Sequence, residues 1–272
     1  MRRLVNIRPH QSLAFVLGLI PLVLLLLLYV HDSNVRHMAN AADKVLPTLA
    51  KMGDSLTRIV FTTDPMTGHV LLVADTVASL RRLGIGIAIS TALALVLGML
   101  LGVLPLMRAT FSPLVATIAV IPPIAILPIL FIVFGLGETS KIILIIIGIT
   151  PFMVRDLAAQ VGTLPEEQLI KAQTLGASSW QMALRVVLPQ ILPRLIDSVR
   201  LSLGPAWVFL ISAEAIASDV GLGYRIFLVR RYLSMDIILP YVAWIALLAI
   251  LMDLVLRAVS REVFPWAHRK TG

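Results

Sequence analysis

The sequence predicts an all-α, polytopic membrane protein with six transmembrane helices, and three observations predict it. Of the 272 residues, 58% are hydrophobic and 14% charged, with a mean hydropathy of +0.95. A soluble domain carries roughly 25% charged residues. Six apolar segments follow one another along the chain. Most approach the ~20 residues that a helix needs to cross a bilayer. Between the fourth and fifth lies a long polar interruption, LPEEQLIKAQTLGASSWQMALRVVLPQILP, which carries two successive helix-start signals.

Segment one covers residues 13–30, an uncharged run behind Arg2, Arg3 and Arg8. A basic start and an apolar run also describe a signal peptide. The run is long enough to span, and His31-Asp32 rather than a small-x-small site follows it, so it reads as a retained span. Residues 31–82 are polar with mixed charge. Within them Leu46, Leu49, Met52, Leu56 and Ile59 recur at helical spacing, which predicts an amphipathic helix on the membrane face. Residues 70–83 read as a second such helix leading into the core.

Segment two, 83–107, is uncharged and holds Gly98 and Gly102. This G-x3-G pair suits close helix approach, although Gly is common in membrane helices in any case. Segment three lies within 109–137, where Pro113, Pro122, Pro123 and Pro128 break or kink it. Carbonyls freed by proline need partners, so a kinked helix is expected to face neighbours or a cavity. Segment four begins near Lys141 and continues past Arg155 and Asp156, expected to pair at the interface. Segment five runs over about 197–218 and segment six over about 237–256, with Asp253 and Arg257 spaced to pair at i,i+4.

The polar interruption reads as helix, tight turn, helix. Thr163 with Glu166 fits a T-x-x-E capping box, and Pro165 and Glu167 suit a first turn. Gly176 offers a stop. Ser178 with Gln181 fits a second box, and Pro189 is expected to close that helix. Such a rigid elbow on one face of a membrane protein is suited to docking another protein.

The same residues carry a resemblance. Ala172, Gly176 and Ala177, followed by Val186-x-Leu188-Pro189, are similar to the EAA loop of permeases of ATP-binding-cassette importers. The chain departs from that loop at Ile170 and Lys171, where the family has Glu and Ala. Further on, the run E-A-I-A-S-D-V-G-L-G-Y and the S-L-R-R-L-G entry to segment two resemble the subfamily handling nitrate, taurine and alkanesulfonates. More loosely, they resemble permeases found with urea-carboxylase systems. The resemblance implies a coupling helix that contacts an ATPase through Leu169, Lys171, Ala172, Gly176, Ala177, Ser178, Trp180, Leu188 and Pro189. It also implies two ATP-binding subunits, a second permease copy and an extracytoplasmic substrate-binding protein, in a bacterial inner membrane.

Composition excludes several alternatives. There is no Cys, hence no disulfide and no thiol chemistry. The net charge of +8 is not arranged as a basic run with interleaved aromatics, so nucleic acid is not a predicted partner, whereas membrane lipid is. The five His show no metal-binding spacing. Neither G-x-S-x-G nor G-x4-G-K-[ST] occurs, so the chain reads as no enzyme. It is expected to hold no cofactor, with ATP bound by a partner subunit.

Six spans place both ends on one side. Thirteen Lys and Arg fall on the side of the termini and elbow and ten on the other, which makes the elbow side cytoplasmic. The chain divides into residues 1–82, a first span with an extracytoplasmic amphipathic segment, and 83–272, a five-helix permease core with its elbow at 163–193. One carboxylate stands out. Glu214, beside Gly221 and Gly223, sits near the far end of segment five, where an ionisable group marks a pathway or gate, or else half of an ion pair, with Arg225 the first candidate partner. The expected function is an ATP-driven importer permease for a small polar solute: nitrate, a sulfonate such as taurine, or a small nitrogen compound. The alternatives are a secondary transporter and a non-transporting membrane scaffold.

Overall fold

The computed structural model describes residues 10–40, 43–61, 63, 68 and 70–268. The helices are, in chain order, α1 (Gln11–Ala39), α2 (Leu49–Phe61), α3 (Leu71–Val103), α4 (Pro105–Val120), α5 (Pro123–Phe134) and α6 (Glu138–Val161). They continue with α7 (Glu166–Thr174), α8 (Ser179–Met182), α9 (Leu188–Ile216), α10 (Leu222–Arg230) and α11 (Met235–Val263). A π turn, Ala183–Val187, joins α8 to α9, so Ser179–Ile216 is one helical run of 38 residues. Five helices are long and apolar enough to cross a membrane, and α4 with α5 make a sixth crossing bent by 92°.

The bend follows from sequence. Pro122-Pro123 exclude helical backbone from the residue before each, and Ile121 and Pro122 are accordingly extended. Pro105 and Pro123 open the two half-helices, where a missing N–H costs nothing. Pro113 and Pro128 are accommodated inside the helices. The expectation that the broken span faces neighbours holds for α5, which buries Leu127 and Leu130, but α4 has no buried residue.

The core is the seam between α3 and α6. A Cβ added at Gly86 would lie 2.8 Å from the Ile145 side chain; at Gly98, 2.8 Å from Leu157; at Gly102, 2.5 Å from Val161. Each glycine pairs with a residue 59 positions later, so the two helices run parallel. By the same offset Ser90 and Ala94 fall level with Ile149 and Met153, and all four are buried. Small residues every fourth position on α3 thus receive large side chains of α6 at close axial distance. Of the two readings open for Gly98 and Gly102, close approach is the one realised. Parallel α3 and α6 also require the bent α4–α5 pair to bring the chain back across.

Ion pairs fix the remaining directions. Arg200 of α9 binds Asp253 of α11 at 2.7 Å and Asp197 at 2.9 Å, and Arg257 binds Asp253 at 3.0 Å, as the i,i+4 spacing predicts. At the opposite end Tyr241 of α11 reaches Asp75 of α3. The amphipathic helix forms as α2, buries Ile59, and ties to α11 through a Ser55–Asp236 hydrogen bond of 2.5 Å. α1 keeps its apolar flank exposed and is held near its end, where Tyr29 and Ser33 donate to the carbonyls of Pro47 and Leu46.

Two expectations are corrected. Residues 70–83 are not a separate amphipathic helix, because α3 is continuous from Leu71 and the division at 82/83 falls inside it. Its mixed polarity reflects partners within the protein, described below. Arg155 and Asp156 form no ion pair among the described residues. Adjacent residues on a helix point about 100° apart and do not face each other.

The seam generates a test. Gly102→Val should destabilise the purified protein by about 1–3 kcal/mol, as overpacking does. Gly84→Ala, on the same helix with nothing within 4 Å of the added carbon, should be tolerated. Equal melting temperatures for the two variants in detergent would refute the seam as the close contact.

Candidate functional site

Two constructions stand at opposite ends of the bundle. The first is the elbow, between the end of α6 and the start of α9. α7 opens with Glu166 and Glu167 at the positive end of its dipole. It ends in a Schellman motif: Ala177 N donates to Ala172 O at 3.0 Å and Gly176 N to Gln173 O at 2.9 Å, with Gly176 at φ +77°. The A-x3-G spacing is therefore the distance between the helix's third-last residue and its left-handed stop. Ser178 then caps α8 with a complete capping box: its Oγ accepts from Gln181 N, and Gln181 Oε1 accepts from Ser178 N.

Two local expectations fail here. The Thr163–Glu166 box does not form. Pro165 is the last extended residue and Glu166 the first helical one, so Thr163 lies too early and donates instead to Gln160 O. Pro189 does not close a helix. It occupies the first turn of α9, and the preceding π turn, in which Leu188 N reaches back five residues to Ala183 O, shifts the register around its missing donor.

The elbow residues divide by exposure. Leu169, Ala172, Ala177, Leu188 and Pro189 are half-buried, and Leu169 packs on the core. Lys171, Gly176, Ser178 and Trp180 are exposed. Ile170, Leu175 and Trp180, the last 72% exposed, present an apolar face to the surroundings.

The second construction gathers the N-terminal part of α3, the first turns of α6 and α10, the end of α9 and Tyr241 of α11. Glu214 is fully buried. Its carboxylate accepts from Ser79 Oγ at 2.8 Å, Arg82 Nη1 at 2.6 Å and Gly223 N at 2.9 Å. Arg82 makes a two-bond fork to Glu138, at 2.6 and 2.7 Å, and also donates to Val220 O at 2.8 Å. Lys141 joins Glu138 at 3.2 Å and Ser218 at 3.2 Å. Beside this cluster Asp75, also fully buried, accepts from Arg225 Nε at 2.8 Å, Tyr241 Oη at 3.0 Å and Gly221 N at 2.9 Å.

Three consecutive amides, those of Gly221, Leu222 and Gly223, thus end on Asp75, Ser79 and Glu214. These are N–H groups at the opening of α10 that its own backbone cannot satisfy, and the carboxylates also suit the positive dipole end. The two glycines are steric necessities. A Cβ at Gly221 would lie 2.6 Å from the Glu214 carboxyl, and one at Gly223 2.7 Å from Ile211 O. Gly221 is also at φ +139°.

The expected Glu214–Arg225 pair is corrected: Arg82 neutralises Glu214, and Arg225 serves Asp75. Asp75, Ser79, Arg82, Glu138, Lys141 and Tyr241 were not anticipated as a group. Their signal was present, since Asp75, Ser79 and Arg82 stand at i, i+4 and i+7 on one helix face. Among the described residues no group of His, Asp and Glu could hold a metal ion.

Removing one partner of a buried pair leaves the other charge uncompensated, at a cost of about 3–5 kcal/mol. Arg82→Met should therefore lower yield and melting temperature sharply, and Arg82→Met with Glu214→Met should recover part of the loss. Arg81→Met is the control, since Arg81 is exposed and lies 3.6 Å from Glu138. A double variant no more stable than Arg82→Met alone would contradict the pairing.

Several known proteins are similar to this chain. Taurine transport system permease protein TauC of Escherichia coli (strain K12) is 35% identical over 189 residues, 70% of this chain and 69% of TauC. Putative aliphatic sulfonates transport permease protein SsuC of Bacillus subtilis (strain 168) is 28% identical over 196 residues, covering 71% and 70% of the two chains. Nitrate import permease protein NrtB of Leptolyngbya laminosa is 26% identical over 189 residues, covering 69% and 67%. A chain of the MetNI methionine ABC transporter, solved in inward-facing conformations, superposes with a TM-score of 0.64 at 22% identity over 74% of this chain and 99% of that one, which establishes the fold. Residues 86–265, from the α3–α6 seam through the elbow to the end of α11, match binding-protein-dependent transport system inner membrane component, and the chain belongs to that family.

Proposed function

We propose that this chain is the membrane-spanning permease subunit of an ATP-driven importer that receives cargo from a binding protein. The observation that carries the reading is the family match over residues 86–265, which contains the whole elbow. Two permease copies work with two ATP-binding subunits on the cytoplasmic side. ATP is bound and hydrolysed by those subunits, and this chain makes and breaks no bonds.

The cargo is a small solute bearing a compact oxyanion, a sulfonate or nitrate-like group. The names of TauC, SsuC and NrtB support this class. The apolar spans agree with a route that holds few fixed charges and so releases what it admits.

The elbow faces the cytoplasm and presents Ile170, Leu175 and Trp180 to the ATPase. Leu169, Ala172, Ala177, Leu188 and Pro189 hold it to the body. Lys171, Gly176 and Ser178 set its exposed outline. ATP-driven closure of the ATPase pair pushes on the elbow, and the permease halves rock between inward and outward states. Glu214, Gly221 and Gly223 brace the outward gate. They do so from a buried position, as a fixed part of its wall.

Gly176→Val forces a β-branched residue to positive φ, costing the turn about 1–2 kcal/mol. Copurification of the ATPase and transport should both fall while membrane insertion survives. Unchanged transport in this variant would remove the elbow from coupling. Orientation is tested separately, because the chain has no native Cys. Cys at position 44 should react with an impermeant thiol reagent in intact cells and Cys at 180 should not; labelling at 180 from outside reverses the assignment. Finally, uptake should persist with an uncoupler when ATP is held constant, which a secondary transporter does not allow.

A further inference from the structure

At the end of the bundle opposite the elbow, α10 and α11 are joined by a tight turn over residues 231–234. Its backbone is closed by Tyr232 N to Val229 O at 3.0 Å and Leu233 N to Arg230 O at 3.1 Å. Leu233 sits at φ +53°, where a residue with a branched side chain is rarely found. The turn displays two large side chains to the surroundings: Tyr232 is 68% exposed and Leu233 56%.

Behind the turn, between α10 and the end of α9, lies a cleft of about 320 Å³ lined in part by Ser218, Tyr224, Phe227, Arg230 and Arg231. Arg230 stacks on Phe227 at 4.9 Å. Among the described residues neither Arg230 nor Arg231 pairs with a carboxylate. Asp219, on the neighbouring loop, is exposed and pairs with neither. Arg225, earlier on α10, is already neutralised by Asp75, and Lys141, behind Ser218, is paired with Glu138.

Short loops on the outer side of a membrane protein are depleted in Arg. Two unpaired guanidinium groups, one ordered on an aromatic ring, beside an exposed Tyr and Leu, have the composition of a protein-binding surface. We propose that this turn and cleft are the seat for an acidic face of the binding protein, with Asp or Glu side chains entering between Arg230 and Arg231 and an apolar contact on Tyr232 and Leu233. The seat rests on the importer reading. It is rigid because α10 is held at its other end by Asp75, Ser79 and Glu214.

The test uses the complete complex, with its ATPase, in proteoliposomes, and the cargo-loaded binding protein of the same transport system as the probe. The readout is the concentration of binding protein that half-stimulates ATP hydrolysis. Arg230→Gln with Arg231→Gln should raise it by about tenfold, roughly what losing charge complementarity at an interface costs. Basal hydrolysis should be unchanged, and the salt dependence seen for the unsubstituted complex should flatten. Lys at both positions should restore much of the response, and Tyr232→Ala should weaken it on its own.

An unaltered half-point in the double Gln variant overturns the seat and leaves the importer reading intact. A defect that arises only in vesicles containing phosphatidylglycerol, and not in phosphatidylcholine alone, shows that the arginines hold lipid headgroups and also overturns it. Absence of any stimulation in the unsubstituted complex overturns the importer reading and the seat together.

Discussion

Two carboxylates, Asp75 and Glu214, are wholly removed from solvent, and each accepts from one amide at the opening of α10, Gly221 N and Gly223 N. A buried carboxylate survives only with a cation and a full set of donors. That requirement explains features far apart in sequence. α3 starts well before its apolar run so that Asp75, Ser79 and Arg82 can reach the cluster. α6 opens with Glu138 and Lys141 because Arg82 needs a second anion, and Glu138 in turn a second cation. Gly221 and Gly223 lack side chains because the carboxyl of Glu214 and the carbonyl of Ile211 occupy that space.

The two ends of the molecule are built by different physics. The elbow is specified locally. A left-handed glycine, a Schellman pair and a capping box all lie within ten residues, and each would form in many contexts. The far end is specified by contacts that join residues more than a hundred positions apart. Between them runs the α3–α6 seam, where glycines and small residues bring the helices close along their whole shared length. A close-packed seam transmits displacement better than a loose one, because interiors at this density are stiff.

This division also explains what the sequence reveals. Spans, proline break, amphipathic α2 and the second capping box are local patterns, and the chain states them directly. The Asp253–Arg257 pair is legible for the same reason. The errors fall where a local pattern competes with something non-local or with a shift in register. Thr163 fits a capping box by spacing, but Pro165 sets the first helical residue later. Pro189 looks like a terminator, but a π turn absorbs it. Residues 70–83 look amphipathic, but their polar face is turned toward α9, α10 and α11 and not toward water. Arg225 is nearest to Glu214 in sequence, whereas Arg82 reaches it through the fold.

The same geometry constrains how an importer of this construction moves. α6 and α9 flank the elbow at one end, and at the other their tips are joined through Arg82, Glu138 and Glu214. α10 is fastened to the same cluster. A push on the elbow therefore cannot spread α3, α6 and α9 apart without exposing two buried carboxylates, at a cost well above that of rotating the group as one body. Outside this body stand α1, whose apolar flank is exposed, and α4, which has no buried residue, whereas α5 packs Leu127 and Leu130 against Leu144 of α6 and Ala213 of α9. The break at Ile121–Pro122 lacks continuous helical hydrogen bonds, and both residues are exposed. Rigid-body motion of the braced core against these outer elements is the change of shape that breaks the fewest of the interactions seen here.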